Sequence, residues 1–444
     1  MKKHISAGLA ALMAASTLSA FSASAESYGD KTNIMVLGDS IAAGAGLEEY
    51  ECNYGQLIAD YLGGTVENYA APDSSSADVL AKIKAFDSTQ KAQLADSDVV
   101  IISTGANDMI YYTATSFILF AASNNLLAEG KMPDDLPEEI NFDTLSEFVD
   151  IEAVKAYCGN LSNALLLSDK IDSIYKNLTY TDEQKNGSAY VQVIAKEIIP
   201  NIEAMVKEIR AVNPDAEIVV QNVYNPLQFS AEYEKHLKDS YSASYFSGYI
   251  QFKTLFDNVT KKFSEQLKGV EGIKVADVLA DFTSVDKNQQ KYGHYFTNIQ
   301  GGRKNFDVFP TQAGHAAMAV SVLNALGESS DDGGQLAMIF KNLPNVESYP
   351  EYALEQYKKV AGSYVLGDIN NDNLINSSDA SVVLEQYALL STGKNPSVPD
   401  ELYNAGDVNS DGFVNSSDAS LILAYYAYAS TGNRASLKNY LANN

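Results

Sequence analysis

The sequence predicts an α/β fold, a three-layer α/β/α parallel sheet with a helical insertion, followed by a small all-α unit. Three observations predict it. From Asn33 onward, short apolar runs alternate with stretches of helical period, the pattern of a parallel sheet covered on both faces by helices. Residues 111–210 read as mainly helical and are too long for a simple crossover, which makes them an insertion or cap. Near the C-terminus a segment is duplicated, a short unit with little core of its own and one helix following each copy's loop.

The elements follow in order. Ile34-Met35-Val36-Leu37 is the first strand, Tyr54 to Leu62 a helix, and Thr65 to Ala70 a second strand. Ala77 to Phe86 is a helix with Val79, Leu80 and Ile83 on one side, and Asp98 to Ser103 is the continuous apolar run of a central parallel strand. In the insertion a long helical stretch from Tyr190 to Val212 is interrupted by Pro200. Glu217 to Gln221 resumes the sheet, Tyr249 to Leu267 is a helix, Ile273 to Val278 a short strand, and Thr311 to Leu326 the closing helix. The first domain therefore spans 30–340, and Asn342 to Val365, with Pro344 and Pro350, reads as a linker over 341–365.

Composition limits the partners. The chain has 444 residues, 46 % of them hydrophobic and 20 % charged, more than one ordinary core needs and far from the composition of a disordered chain. Its net charge of -26 repels a phosphate backbone, so no nucleic-acid partner is expected, whereas a basic partner or a cation such as calcium fits. Two cysteines, Cys52 and Cys158, exclude a disulfide-built scaffold and a Cys-rich zinc module. They leave room for one bridge, and the sequence leaves their pairing open. Lys2 and Lys3 precede an apolar stretch from Ile5 to Phe21 and the small-x-small pattern Ala23-Ser24-Ala25, so residues 1–25 read as a secretory signal peptide. Ser16, Thr17 and Ser19 interrupt a stretch already short for a bilayer, and no later segment is apolar enough to span one, so a secreted, extracellular protein without a membrane span is expected.

The duplicated segment carries a ligand spacing. Gly367-Asp368-Ile369-Asn370-Asn371-Asp372 and Gly406-Asp407-Val408-Asn409-Ser410-Asp411 open two copies, each continuing through Asn-Ser-Ser-Asp-Ala-Ser. An EF-hand-type loop places side-chain oxygens at positions 1, 3 and 5, a backbone carbonyl at 7 and an acid at 12, which wraps the chain around a cation that needs six to eight hard oxygens. Copy one supplies Asp368, Asn370, Asp372, Leu374 and Asp379, and copy two Asp407, Asn409, Asp411, Phe413 and Asp418. The sharp turn at position 6 falls on Gly412 in the second copy and on Asn373 in the first, which tolerates the left-handed conformation less freely and predicts a weaker loop. Two Ca2+ sites are expected. Position 12 is Asp rather than Glu, and one helix follows each loop, unlike a sensor EF-hand.

These two loop-helix copies, over residues 366–435, resemble the dockerin module, which docks onto cohesin domains of a scaffold protein in cellulose-degrading assemblies. The resemblance implies a cohesin partner and places Ser377, Ser378, Ser416 and Ser417 in the contact region, together with helix residues such as Glu385 and Tyr425.

In the first domain, the first strand ends in Gly38-Asp39-Ser40-Ile41-Ala42-Ala43-Gly44. A serine on a strand-to-helix turn stands at the carboxyl edge of the sheet, accessible and near a helix N-terminus. The third apolar run ends in Gly105-Ala106-Asn107-Asp108 at the same edge, Asn68-Tyr69-Ala70-Ala71-Pro72-Asp73 follows the second strand, and Asp307-Val308-Phe309-Pro310 precedes the closing helix. In this order the four blocks resemble the SGNH (GDSL) hydrolase superfamily, serine esterases on a flavodoxin-like sheet, over roughly residues 32–326. The resemblance makes Ser40 the nucleophile, Asn107 an oxyanion donor, Gly105 a point of close backbone approach and Asp307 the acid that orients the base. No cofactor is implied for catalysis.

Two positions depart from the family. Asp73 stands where a glycine usually supplies an oxyanion-hole N–H; the backbone donor survives, but the carboxylate opposes the developing charge unless it points away. Phe309 occupies the place of the catalytic histidine, and without a base a serine hydroxyl is a poor nucleophile. The four histidines of the chain offer His294, in the loop-like Tyr292-Gly293-His294-Tyr295, and His315, about 9 Å further along the closing helix at 1.5 Å per residue, as replacement bases. Either another base serves or the site is retired from catalysis.

The expected protein is thus a scaffold-associated carboxylic ester hydrolase, acting by acyl transfer to Ser40 on plant cell-wall polysaccharide or another ester and impaired by Phe309. The alternative is an inactive binding protein of the same fold. A lipase for long chains needs an apolar channel, which Ile118, Leu119 and Phe120 are placed to supply.

Overall fold

The computed structural model describes residues 32–135, 147–182, 184–185, 188–241, 243–286, 295–301, 307–327, 339, 365–372, 374–409, 411–431, 437 and 440–441. The signal peptide assigned to 1–25, linker residues 341–364, Asn373 and the candidate base His294 lie outside them.

Five parallel strands, β1 (Asn33–Gly38), β2 (Thr65–Asn68), β3 (Val99–Ser103), β4 (Glu217–Gln221) and β5 (Lys274–Ala276), form one sheet in the order β2-β1-β3-β4-β5. This is the flavodoxin-like order, whose crevice lies beyond the carboxyl ends of the strands. In register, Gly38 stands beside Ser103 and Ser103 beside Gln221, so these three positions mark that carboxyl edge.

The helices of the first domain are α1 (Tyr54–Tyr61), α2 (Ser76–Lys84), α3 (Ser88–Ala95), α4 (Ala106–Ser123), α5 (Ile151–Cys158), α6 (Leu161–Thr179), α7 (Ile199–Val212), α8 (Ala231–Ser240), α9 (Ala243–Leu267), α10 (Val278–Thr283) and α11 (Gln312–Leu326). Alternation along the strands sorts them into two layers. Ile34, Val36, Val99, Ile101 and Val219 pack into one core with α1, α10 and α11, and Ile339 closes the same core. Met35, Leu37, Val100, Ile102, Ile218 and Val220 face the other, built from α2, α3, α4, α6, α7 and α9. Near-complete burial on both faces is what the unbroken apolar runs require.

The helical block after β3 is present, and Pro200 ends up in the first turn of α7, where its missing N–H is no loss; a π turn over Ile194–Ile198 precedes it. The assigned strand ends at Asn68, whose side chain bonds the Ala42 carbonyl and the Ala70 N–H, although the Tyr69 and Ala71 N–H groups still donate to the Val36 and Gly38 carbonyls of β1, close to the expected extent to Ala70. Ser40 is not followed by a helix. Residues 40–46 form a run of turns because Gly44 and Gly46 adopt φ of 95° and 91°, which a right-handed helix cannot contain. Cys52 and Cys158 are not bonded to each other.

The C-terminal unit has its own core. Here α12 (Ser377–Ser391) packs on α14 (Ser416–Ala429), with the short α13 (Asp400–Ala405) between them in sequence, and Ile369, Val383, Val408, Val414 and Ile422 are buried among them. Tyr425, expected on the partner face, is instead 2 % exposed, its ring tilted against Tyr428 and Tyr440. It is a core residue that anchors the C-terminal segment. Glu385, Ser378, Ser416 and Ser417 are exposed, and Ser377 is half-buried.

Candidate functional site

The strand ends build a cleft. Gly38 is required where β1 leaves the sheet, since its φ is 151° and a Cβ there would lie 2.3 Å from the Ser103 carbonyl oxygen. The next residue, Asp39, turns inward: its Oδ1 accepts from the Ile41 N–H at 3.2 Å and from Ser103 Oγ at 3.1 Å, which braces the turn carrying Ser40. Its Oδ2 is buried without a hydrogen-bond partner. Burial pushes the Asp39 carboxyl up to about 7, against the lowering effect of the bonds from Ser103, Ala42 and Ile41.

That shift has a measurable consequence. The folded chain keeps a proton that the unfolded chain releases near pH 4, so this group's contribution to stability is complete below about pH 4 and lost as pH rises to about 7. Asp39→Asn is expected to remove a slope of up to about 1.4 kcal/mol per pH unit between those limits. Denaturant unfolding of both proteins across this range reads the slope; an unchanged slope contradicts a protonated Asp39.

Ser40 is nearly buried, and its Oγ accepts a 2.7 Å hydrogen bond from the Asp73 N–H. Asp73 has φ of 58°, the left-handed region that explains the family's usual glycine, and it is exposed. The backbone donor is thus in place. Asn107 lies on the first turn of α4, lines the same cleft and donates from Nδ2 to the Ser74 carbonyl at 3.1 Å. Gly105 caps that helix at φ of 96°, and a Cβ there would meet Ile198 and Phe263. Its close approach is therefore to the core behind the site.

The structure brings Ser40, Asn107 and Phe309 to one cleft, walled by Ile41, Met109, Ile110, Val223, Pro226 and Phe256. Tyr224 also lines it, and its hydroxyl donates to the Val308 carbonyl at 2.8 Å, fixing the segment that carries Phe309. The proposed channel residues lie elsewhere. Ile118 is buried with Phe148 and Val149, Leu119 is exposed, and Phe120 packs edge-on against Tyr157.

Asp307 lies two residues before Phe309 and turns its carboxylate to the neighbouring chain. Its Oδ2 accepts from Asn298 Nδ2 at 2.9 Å and its Oδ1 from the Phe309 N–H at 3.3 Å. His315 does not replace that base: it is fully buried in α11, stacked on Tyr54, and its Nδ1 accepts from the Tyr54 N–H at 3.3 Å. Burial lowers its pKa to about 3, against a smaller raising effect of the Ala45 carbonyl, so it stays neutral and structural. His236 is exposed on α8 beside Ser240. Among the described residues no imidazole hydrogen-bonds to Ser40 Oγ.

Sequence reasoning missed Asp39 and Asp108, although both stand inside the quoted blocks next to assigned residues. It also missed Val223, Tyr224 and Pro226 after β4 and Phe256 on α9, for which no local motif exists.

In the C-terminal unit one carboxylate oxygen each from Asp368, Asp372 and Asp379 lie within 4.8 Å of one another. Burial pushes Asp379 up to about 7, and the neighbouring charges of Asp368 and Asp372 add to the rise. Three carboxylates converging around a half-dry point fit a hard cation such as calcium. Asn370 and Leu374 belong to the same turn, in which Asp368 Oδ1 accepts from the Asp372 N–H and Asp372 Oδ1 from the Leu374 N–H, each at 2.9 Å. The second loop repeats this scaffold. Asp407 accepts from the Asp411 and Gly412 N–H groups, Asp411 from the Phe413 N–H, and Asp418 from the Val408, Asn409 and Asn415 N–H groups. Gly412 supplies the turn at φ of 84°.

Among the described residues, no helix is long and apolar enough to cross a membrane. Comparison with known proteins agrees with the two-part reading. Residues 36–317 match the GDSL-like Lipase/Acylhydrolase family, and residues 366–426 match the Dockerin type I domain. No curated protein matches. Among solved structures, the chain is similar to the lipase Lip_vut3 from a goat rumen metagenome, at 16 % identity over 66 % of this chain and 97 % of that one, with a TM-score of 0.37. It is also similar to an extracellular lipase from Streptomyces rimosus, at 14 % identity over 66 % and 99 % with a TM-score of 0.38. A phospholipase A1 from Streptomyces albidoflavus matches at 15 % identity over 66 % and 99 %, with a TM-score of 0.36. A family match over well more than half of the length, on a sheet of the expected order, leaves one conclusion: the chain belongs to the GDSL-like lipase/acylhydrolase family and carries a dockerin type I domain behind its hydrolase domain.

Proposed function

We propose that this protein is a secreted, scaffold-docked member of the acylhydrolase family whose cleft binds carboxylic esters, with plant cell-wall polysaccharide as the substrate class, and whose turnover is impaired. The observation that carries this reading is Phe309 lining the cleft of Ser40 while the Asp73 N–H and Asn107 stay at the same cleft. An apolar wall with polar groups at one end suits an acyl group, its carbonyl toward Ser40 and its alcohol part outward. In the proposed division, residues 1–25 direct secretion, 30–340 form the acyl-binding domain, and 366–435 form a dockerin that holds two Ca2+ ions and docks onto a cohesin.

Titration calorimetry with butyranilide, an amide that mimics a short ester, tests the binding half. Binding that is lost on filling the cleft with Ile110→Trp is expected. No binding by the wild-type protein contradicts an acyl cleft.

A further inference from the structure

The residue after Asn107 has no role in the reading above, yet it joins the two segments that carry the oxyanion donors. The Asp108 carboxylate accepts from the Ser76 N–H at 2.8 Å through Oδ2 and from Ser76 Oγ at 2.6 Å through Oδ1. Asn201 Nδ2 on α7 donates to the same Ser76 Oγ at 3.0 Å, which orients that hydroxyl toward Asp108. Ser76 opens α2, three residues after Asp73, and Asn107 reaches the Ser74 carbonyl of the same loop. The loop over 73–76 and the first turn of α4 are therefore laced together by two bonds to Asp108 and one from Asn107.

Burial raises the Asp108 carboxyl above its ordinary range, while the bonds from Ser76 lower it. A half-buried carboxylate is costly to keep unless its oxygens are hydrogen-bonded. Here it stands in the first turn of α4, where a helix favours negative charge, and both its oxygens are spent on one loop residue. That loop residue is fixed next to Asp73, whose N–H meets Ser40 Oγ. Asn107 is held by the same lacing: with one amide hydrogen on the Ser74 carbonyl, its second is left for the cleft.

We infer that Asp108 is a positioning residue, holding the Asp73 N–H and the Asn107 amide at the spacing that receives an oxyanion on a substrate attacked by Ser40. The assignment rests on the acyl-site reading proposed above. Oxyanion donors act only when they are already in place as charge develops, so a loosened pair lowers the rate of the chemical step more than it lowers ground-state binding.

The test uses the full chain carrying Phe309→His as parent, with Asp108→Asn and Ser76→Ala added separately. Asp108→Asn keeps the shape and loses one acceptor; Ser76→Ala removes the hydroxyl bond and leaves the N–H bond. Hydrolysis of an aryl acetate is expected to lose about 10- to 100-fold in kcat with Asp108→Asn and less with Ser76→Ala, KM changing less than about two-fold. Affinity for butylboronic acid, which becomes a tetrahedral anion on the serine, is expected to fall in step with kcat, while affinity for neutral butyranilide holds. Unchanged kcat in Asp108→Asn overturns the assignment, and so does an equal loss of boronate and anilide binding, the mark of a general structural role. A parent that neither hydrolyses the ester nor binds the boronate overturns the acyl-site reading itself, and the assignment falls with it.

Discussion

Replacing Phe309 by His is expected to raise hydrolysis of a short aryl acetate by about 10³-fold or more over the wild-type chain. The serine must lose its proton as it attacks, and a phenyl ring takes none. Ser40 stands at the end of β1, with the Asp73 N–H 2.7 Å from its Oγ and Asn107 in the same cleft. Asp307 stands two residues before position 309 and accepts the Phe309 N–H at 3.3 Å, so its carboxylate is already beside the segment from which an imidazole would project. An imidazole is smaller than the ring it replaces, and the Tyr224 hydroxyl fixes the neighbouring Val308 carbonyl, so the substitution need not move the backbone. Initial rates at neutral pH read the gain. No gain, in a variant whose unfolding curve matches the wild type, contradicts the position as the missing base.

Removing calcium is expected to unfold residues 366–435 and leave the first domain standing. The C-terminal unit is small, and small units gain much of their stability from a bound ion. Asp368 and Asp379 are buried, and with Asp372 they bring three carboxylates together, which repel one another without a cation between them. An ion bound at 1,000 times its dissociation constant stabilises by about 4 kcal/mol, comparable to the whole stability of a unit this size. Two separate thermal transitions are expected in calcium, with the C-terminal one lost in chelator; a single transition that disappears on chelation contradicts independent domains. Cohesin binding is expected to vanish with Asp368→Ala plus Asp407→Ala, and unchanged binding contradicts docking that depends on the ion.

The sheet was legible because its strands carry continuous apolar runs. Val99 to Ile102 is buried on both faces, and only a central parallel strand demands that pattern. The repeat was legible for a different reason: ligands at every second residue belong to a local turn, which needs no tertiary contact to be recognised. What depended on tertiary packing was not legible. Tyr425 follows its loop like a partner-facing residue, but helical phase turns it onto Tyr440, a residue near the chain end. Ile118 and Phe120 have the composition of an acyl channel, yet the cleft is walled instead by Val223, Pro226 and Phe256, brought from two elements beyond β3. The helix expected after Ser40 fails at Gly44 and Gly46, whose positive φ lets the chain turn back against Phe309: a Cβ on Gly46 would lie 2.4 Å from that of Phe309.

Among the described residues no imidazole hydrogen-bonds to Ser40 Oγ, and the rate of aryl acetate hydrolysis by the wild-type protein beside its Ser40→Ala variant shows whether any group takes the serine's proton. The account predicts equal rates in the two proteins, both near the uncatalysed background. A wild-type rate well above that background and abolished by Ser40→Ala would contradict it, because some other group would then be taking the serine's proton.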